Sequence, residues 1–416
     1  MPIRRLAGKL KSVALDHALR HKPSGFQFAI AEGIDQLRAD HWDALVDGQG
    51  VCLGRPFLGV LEQAGPANLA SHYAIVYREG APLAAVACQS VALDGSMLPS
   101  RKAESRRVAL RDRGLARLKQ RVLVCGNLLG WGPQGVAFAD GQATAERWCG
   151  VAEALYRIRR ANVVFGQTDL VLVKDLGTAE VHADGPLRRF SYRAVETEPN
   201  MILALRPEWR TFDDYLAALR SDYRSNIRKL VREVTAAGLT PRRLDTAGVQ
   251  RHAQDLHRLY LEVHERQKLR LVTLAPRFLP ALAAEFGGDL RTVVLERAEG
   301  GLAGFVTMLK DRDGAIGYYI GFDKATAARG VPLYLRLLYA LVEEAVDARA
   351  SWLSLGRTAL EPKASLGAVG HPLRCYVRHR LPALNAFVRA LVYAAPEPDQ
   401  SPERNPFKPP KAISQK

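Results

Sequence analysis

Residues 315–357 read AIGYYIGFDKATAARGVPLYLRLLYALVEEAVDARASWLSLGR. Ala315–Phe322 mixes glycine with β-branched and aromatic residues, the composition of a buried strand. A loop containing Arg329 and Gly330 follows. Pro332 suits the first turn of a helix, where its fixed φ fits and its missing N–H would have been unpaired. Leu333, Leu337 and Leu341 recur every four residues beside Tyr334, Leu338 and Val342. The helix is therefore expected to be buried over most of its surface until Glu343 and Glu344 bring it to water. Ser351–Gly356 is a second short strand, which makes the unit strand, loop, helix, strand. A glycine at the loop–helix junction lets phosphates approach unpaired backbone N–H groups at the positive end of the helix dipole. An ordinary βαβ crossover would read the same way.

Outward from that unit, the 416-residue chain is long enough for two or three cores, and 48% of its residues are hydrophobic. No stretch approaches the roughly 18 uninterrupted apolar residues of a membrane span. Residues 1–25 form a basic arm without the apolar core and small-residue cleavage site of a signal peptide. Cys52, Cys88, Cys125, Cys149 and Cys375 are scattered, without metal-ligand spacing, which fits free thiols and a cytoplasmic location. His257 and His264 stand two helical turns apart, too far to share a metal, so no metal is expected. The net charge of +16 is concentrated: Lys and Arg less Asp and Glu gives +5 for residues 1–25, +7 for 101–121 and +5 for 220–243. A localised basic excess points to an anionic partner, namely nucleic acid, a phosphorylated substrate or an acidic membrane surface. An Arg-rich composition with solvated basic faces is the plainer reading.

The first half of the chain repeats the order of the second. RTVVLERAEGGLAGFVTML (291–309) parallels HYAIVYREGAPLAAVACQS (72–90): strand, charged turn with glycine, strand. Ala143–Arg147 (ATAER) before the helix expected at Glu146–Arg160 resembles Ala325–Arg329 (ATAAR). Asn162–Phe165 then reads as a strand. The basic segment 101–121 and the run GNLLGWGPQG (126–135) are insertions confined to the first copy. A tandem duplication follows, with an α/β (α+β) fold of two domains, each a mixed sheet flanked by helices. Their expected limits are 26–195 and 200–390. The Pro-rich residues 395–416 form an expected disordered tail, since they carry too little apolar surface to order themselves.

The order of hairpin, strand, Arg-Gly loop, helix and strand resembles the GNAT acyltransferase superfamily. The doubling is similar to its FemAB-like, peptidoglycan-related branch. Three stretches carry that resemblance: YLAALRSDYRSNIRK (215–229), LSLGRTALEPK (353–363) and LVCG (123–126). The resemblance implies transfer of an acyl group from acyl-CoA or aminoacyl-tRNA to an amine. It implies that Tyr319 and Gly321, on a splayed strand, lie beside the acyl group. Arg329, Gly330 and Val331 would then hold the donor phosphates, in place of the family's usual Arg/Gln-x-x-Gly-x-Gly/Ala loop. Arg357 and Lys363 lie where an anionic substrate or the leaving group would sit. Tyr376 stands in for the family's general acid, and Glu361 is the candidate base. Partners implied are an anionic small-molecule or lipid-linked acceptor, tRNA, and peripheral contact with an anionic membrane. Arg220, Arg224 and Arg228 recur every four residues, as a phosphate-gripping face would, opposite a stripe of Tyr223, Ile227, Leu230 and Val234. The competing class is a protein that keeps the fold, has lost catalysis, and binds nucleic acid or an anionic membrane surface through these basic segments.

Overall fold

The computed structural model describes residues 24–94, 119–161, 167–178, 180–267, 270–393, 402 and 404–408. Most of the basic arm, residues 101–118 of the basic segment, the strand expected at 162–165 and most of the tail lie outside the described residues.

The first half runs β1 (Phe26–Ala31), α1 (Ala39–Val46), α2 (Arg55–Ala64), β2 (Leu69–Arg78), β3 (Ala81–Asp94), β4 (Lys119–Cys125), β5 (Val136–Phe138), α3 (Ala145–Ala161), β6 (Leu170–Gly177), α4 (Val181–Arg189) and β7 (Arg193–Ala204). The second runs α5 (Phe212–Ala218), α6 (Ser221–Ala236), β8 (Leu239–Leu244), α7 (Thr246–Arg251), α8 (Ala253–His264), α9 (Phe278–Phe286), β9 (Leu290–Arg297), β10 (Leu302–Asp311), β11 (Gly314–Phe322), α10 (Lys324–Ala328), α11 (Leu333–Asp347), β12 (Trp352–Ser354), α12 (Leu360–Ser365), β13 (Val369–His379) and α13 (Pro382–Tyr393).

Both halves contribute to one continuous sheet, ordered β1-β2-β3-β4-β6-β13-β7-β12-β11-β10-β9-β8, with β5 hung from β3. Read from either edge, the order of the connected elements is the same. Each half lays down a hairpin, a third strand, a helix and a fourth strand, and then sends its last strand across the middle. β7 leaves the first half to pair with β12, and β13 leaves the second to pair with β6. The two exchanged strands also pair with each other, antiparallel. The repeated hairpins are β2–β3 and β9–β10. The repeated ATA motifs do not superpose in role: Thr144 accepts from Arg147 N–H at the start of α3, whereas Thr326 lies inside α10.

Central strands are buried on both faces, so consecutive residues feed different layers. Tyr73, Ile75, Ala85 and Ala87 enter one core, and Ala74, Val76, Ala84 and Val86 another. A third core gathers α5, α6, α11 and α12 on the second half. The stretch 215–229, which reads as a single helix, is broken at Leu219–Arg220, where Arg220 is extended (φ −60°, ψ 155°) and caps α6. α5 before it starts on a reciprocal Thr211–Asp214 cap.

The tail corrects a sequence expectation. Pro406 is buried and Phe407 lies against the third core, its ring 5.6 Å from Trp209 and 6.1 Å from Tyr215. Composition missed this because a single aromatic anchor with a few backbone bonds suffices to dock a short segment.

Candidate functional site

The site is set by where two neighbouring strands part. β11 and β12 are parallel and pair only at Ala315–Leu353 and Ile316–Ser354. Beyond that point β11 stays on β10, through a bulge that sets Tyr318 and Tyr319 opposite Thr307. A bulge adds a residue and re-aims the chain, which here turns β11 away from β12. Tyr319 N–H donates to Thr307 Oγ1 at 2.9 Å, so this N–H is not free for an acyl carbonyl. Its hydroxyl donates to Leu129 O at 3.2 Å, in the Gly-rich loop of the first half. Gly321 has a packing reason: a Cβ there would run into the backbone of α8 at Leu259 and Tyr260.

That Gly-rich loop, residues 126–135, reaches over the diverging ends. Trp131 donates from Nε1 to Ser354 Oγ at 2.8 Å and lies over Gly356, and Ser354 in turn donates to Asn200 at 2.9 Å. Behind it sits a buried ionic cluster. Asp175 is 0% exposed and accepts from Lys174 Nζ, from Gly132 N–H at 3.2 Å and from Arg357 at 2.8 Å. Arg357 is thus engaged by a carboxylate of the first half. Burial holds the Lys174 ammonium below its ordinary pKa, with Asp175 opposing. Sequence reading missed Lys174 and Asp175; the run of polar Lys-Asp inside the apolar strand LVLVKDLG was the available signal.

Lys363 is the one cationic candidate from the sequence that is buried. It is 3% exposed on α12, flanked by Leu360 and Ala364 of the third core. Among the described residues no acceptor lies within hydrogen-bond reach of its ammonium. Burial pushes its pKa down to about 7, with Glu198 on β7 opposing. Glu198 continues β7 past its Ile202–Ser354 pair with β12, at the end where β11 and β12 separate. Ala359, which starts α12, is left-handed (φ 54°, ψ 60°), an uncommon conformation for a non-glycine residue and one found at functional sites.

Two candidates do not join Lys363. Glu361 is exposed on another side of α12 and is bound by Arg404, Nε to Oε1 at 2.8 Å. Tyr376 is buried in the core of the first half, where its hydroxyl donates to Asp184 at 2.8 Å, and burial raises its pKa. The general-acid and general-base expectations for these two are therefore corrected: β13 is an exchanged strand, so Tyr376 is carried to the other half of the sheet.

Arg329 and Gly330 are exposed at the turn between α10 and α11 while Val331 is half-buried against the third core, and Gly330 is left-handed (φ +87°) with open space around it. The N–H groups of Arg329 and Gly330 donate to Thr326 O and Ala327 O, which corrects the expectation that they are free. Val331 accepts from Leu333 N–H at 2.8 Å. Among the described residues the backbone donors left over are Val331 N–H in the turn and Tyr334 and Leu335 N–H in the first turn of α11. Arg220 donates to Asn405 O at 3.3 Å and Arg224 to Leu219 O at 3.3 Å, while Arg228 is exposed. The stripe opposite them is buried at Ile227, Leu230 and Val234. His257 and His264 are taken by Leu274 O and Thr273, and no metal-holding group of His, Cys, Asp or Glu occurs among the described residues. Nor is any helix there long and apolar enough to cross a membrane.

Residues 221–363 match the family model described as an acetyltransferase (GNAT) domain. None of the curated proteins matches the sequence. Among solved structures, FemX is similar at 11% identity and TM-score 0.50, over 85% of this chain and 98% of that one. A tandem GNAT protein from the clavulanic acid biosynthesis pathway follows at 12% identity and TM-score 0.48, over 86% and 99%. L-PGS from Bacillus licheniformis has 12% identity and TM-score 0.45, over 81% and 94%. The parting of β11 and β12 falls inside the matched region, as do Arg329 to Val331 and Lys363. Residues 221–363 thus carry the match to the acetyltransferase (GNAT) domain, and the chain as a whole has a fold like that of FemX.

Proposed function

We propose that the protein is an N-acyltransferase that takes its acyl group from acyl-CoA and uses Lys363 as the base. The observation that carries this reading is a buried lysine, its pKa near 7, with no hydrogen bond to its ammonium found among the described residues, at the open end of two diverging strands. At neutral pH about half of such lysines are uncharged and able to take a proton, as efficient general bases require. In the reaction the acceptor nitrogen bonds to the acyl carbon while the donor's C–S bond breaks. The proton leaves nitrogen for Lys363 and then passes to the departing thiolate. The first turn of α11 and the Arg329 side chain supply the place for the donor's phosphates. Arg224 and Arg228 are the cations proposed to meet an anionic acceptor. An aminoacyl-tRNA would enter the same scheme with a C–O bond breaking instead.

The test is binding followed by turnover. Acetyl-CoA should raise the melting temperature of the wild-type chain. Gly330→Val should abolish that shift, since each lost charge-assisted bond is worth about tenfold in affinity. If neither acyl-CoA nor aminoacyl-tRNA protects the protein, the transferase reading fails. The alternative, a fold without catalysis, is favoured by Trp131 lying over the strand ends and by Arg220 being taken up by the chain's own tail.

A further inference from the structure

The docked segment of the tail, Arg404–Lys408, touches α12 from two sides. It adds to residues 217–220 as a short antiparallel strip: Arg220 N–H donates to Pro406 O at 2.8 Å, and Lys408 N–H to Ala218 O at 2.9 Å. Lys408 Nζ donates to Ala217 O at 2.8 Å. These bonds set Phe407 against Trp209 and Tyr215, with the Arg206 guanidinium 5.3 Å from its ring centre. The far edge of the ring meets Gly367, where there is no room for a Cβ beside it. Gly367 lies in the turn that closes α12, with its N–H on Ala364 O, while Leu366 and Ala368 N–H both donate to Lys363 O. Tyr215 donates to Leu366 O at 3.0 Å. At the other end of the helix, Arg404 holds Glu361.

We infer that residues 404–408 are a strap that positions Lys363, with Phe407 as its key residue, by clamping α12 through Gly367 and Glu361. This deepens the assignment of Lys363 as the base and rests on it. The strap is not a substrate contact: its side chains face the outside of α12 and the α5–α6 junction. Its effect is to press the closing turn of α12 onto the third core and so keep water from the lysine behind it. The charged group acting on that lysine is Glu198 from β7, while the Tyr215 hydroxyl from α5 is held by Leu366 O. Arg357 from the preceding turn is tied to Asp175, and Arg404 from the strap is tied to Glu361. Shortening Phe407 touches neither Glu198 nor the Arg357–Asp175 pair. A shift in the titration of Lys363 would therefore report hydration and not a new charge.

The experiment reads Lys363 directly, without needing a substrate. The full chain is labelled with ¹³Cε-lysine, the Lys363 signal is assigned by its loss in Lys363→Met, and its shift is followed against pH. The wild type should titrate near 7, and Phe407→Ala should raise the midpoint by about one unit or more as water enters. The amides of Leu366, Gly367 and Ala368 should exchange about tenfold faster or more. A chain ending at Gln400 should shift the midpoint in the same direction, with the release of Glu361 from Arg404 added to the loss of Phe407. Adding the peptide PERNPFK should restore it, and PERNPAK should not. If Phe407→Ala does not fold, Phe407→Leu carries the same test with a smaller shift. Unchanged midpoint and exchange in the folded variants overturn the strap alone. A wild-type midpoint at the ordinary lysine value overturns both the strap and the base assignment.

Discussion

The two halves of the sheet are built from the same parts and differ at one joint. In the first half, β4 and β6 are zipped in parallel over four residue pairs, from Val122–Leu170 to Cys125–Val173. In the second, the equivalent strands β11 and β12 hold only two pairs and then separate. The helix after the joint differs in the same sense. α4 buries Ala183 and Leu187 and sets Asp184 on the Tyr376 hydroxyl, so its polar groups are satisfied. α12 buries Lys363, for whose ammonium no hydrogen bond is found among the described residues. A satisfied pair stabilises, whereas a buried unpaired amine costs stability and persists where chemistry needs it. One half is proposed as scaffold and the other as the reaction centre.

The sharpest way to break this comparison is to change both helices. Lys363→Met should lower turnover by about 10²–10⁴-fold and leave the melting temperature unchanged or higher, because it removes a buried amine. Asp184→Asn should leave turnover within about twofold of wild type. Equal losses at the two positions would mean that neither half is merely scaffold.

The joint between the halves should be the most sensitive to stability changes. Asp175→Ala strips the shared partner from Lys174 and Arg357 and leaves buried charge uncompensated. Denaturant unfolding should show a loss of about 3–5 kcal/mol. A loss under about 1 kcal/mol would show that water reaches the cluster and that the halves are held by strand pairing alone.

The most gradual effect, spread over about three pH units, sharpens the Lys363 reading. Its folded pKa, about 7, lies below the ordinary lysine value of about 10.4, so between these limits the unfolded chain binds more protons. Stability should therefore rise with pH from 7 to 10, by at most about 1.4 kcal/mol per unit. Lys363→Met should flatten that rise. A wild-type profile that already matches the variant would place Lys363 in water.

Much of this was legible in the chain. The β11–α11–β12 unit and the paired hairpins follow from short-range pattern, because periodicity and turn chemistry are local. What was not legible depends on contacts between residues far apart. Tyr376 reads as a neighbour of Lys363 by sequence, yet β13 carries it across the sheet to Asp184. Glu361 and Lys363 are two residues apart on a helix, which points them apart. Arg220 reads as part of a helical stripe, but the break at Leu219 makes it a cap held by Asn405 and Pro406. Asp175 gives no local signal beyond a charge in an apolar strand, since its partners Gly132 and Arg357 come from other segments.

The exchange of β7 and β13 also bears on how the chain is made. β6 ends at Gly177, but the strand that covers its free edge begins at Val369. On a ribosome, the first half must wait for nearly all of the second to emerge before its sheet can close. Until then β6 presents an open edge of unpaired backbone, the kind of surface that chaperones shield and that other nascent chains can join. Cutting the gene between the halves should therefore give two insoluble fragments when each is expressed alone, and a soluble complex when they are expressed together.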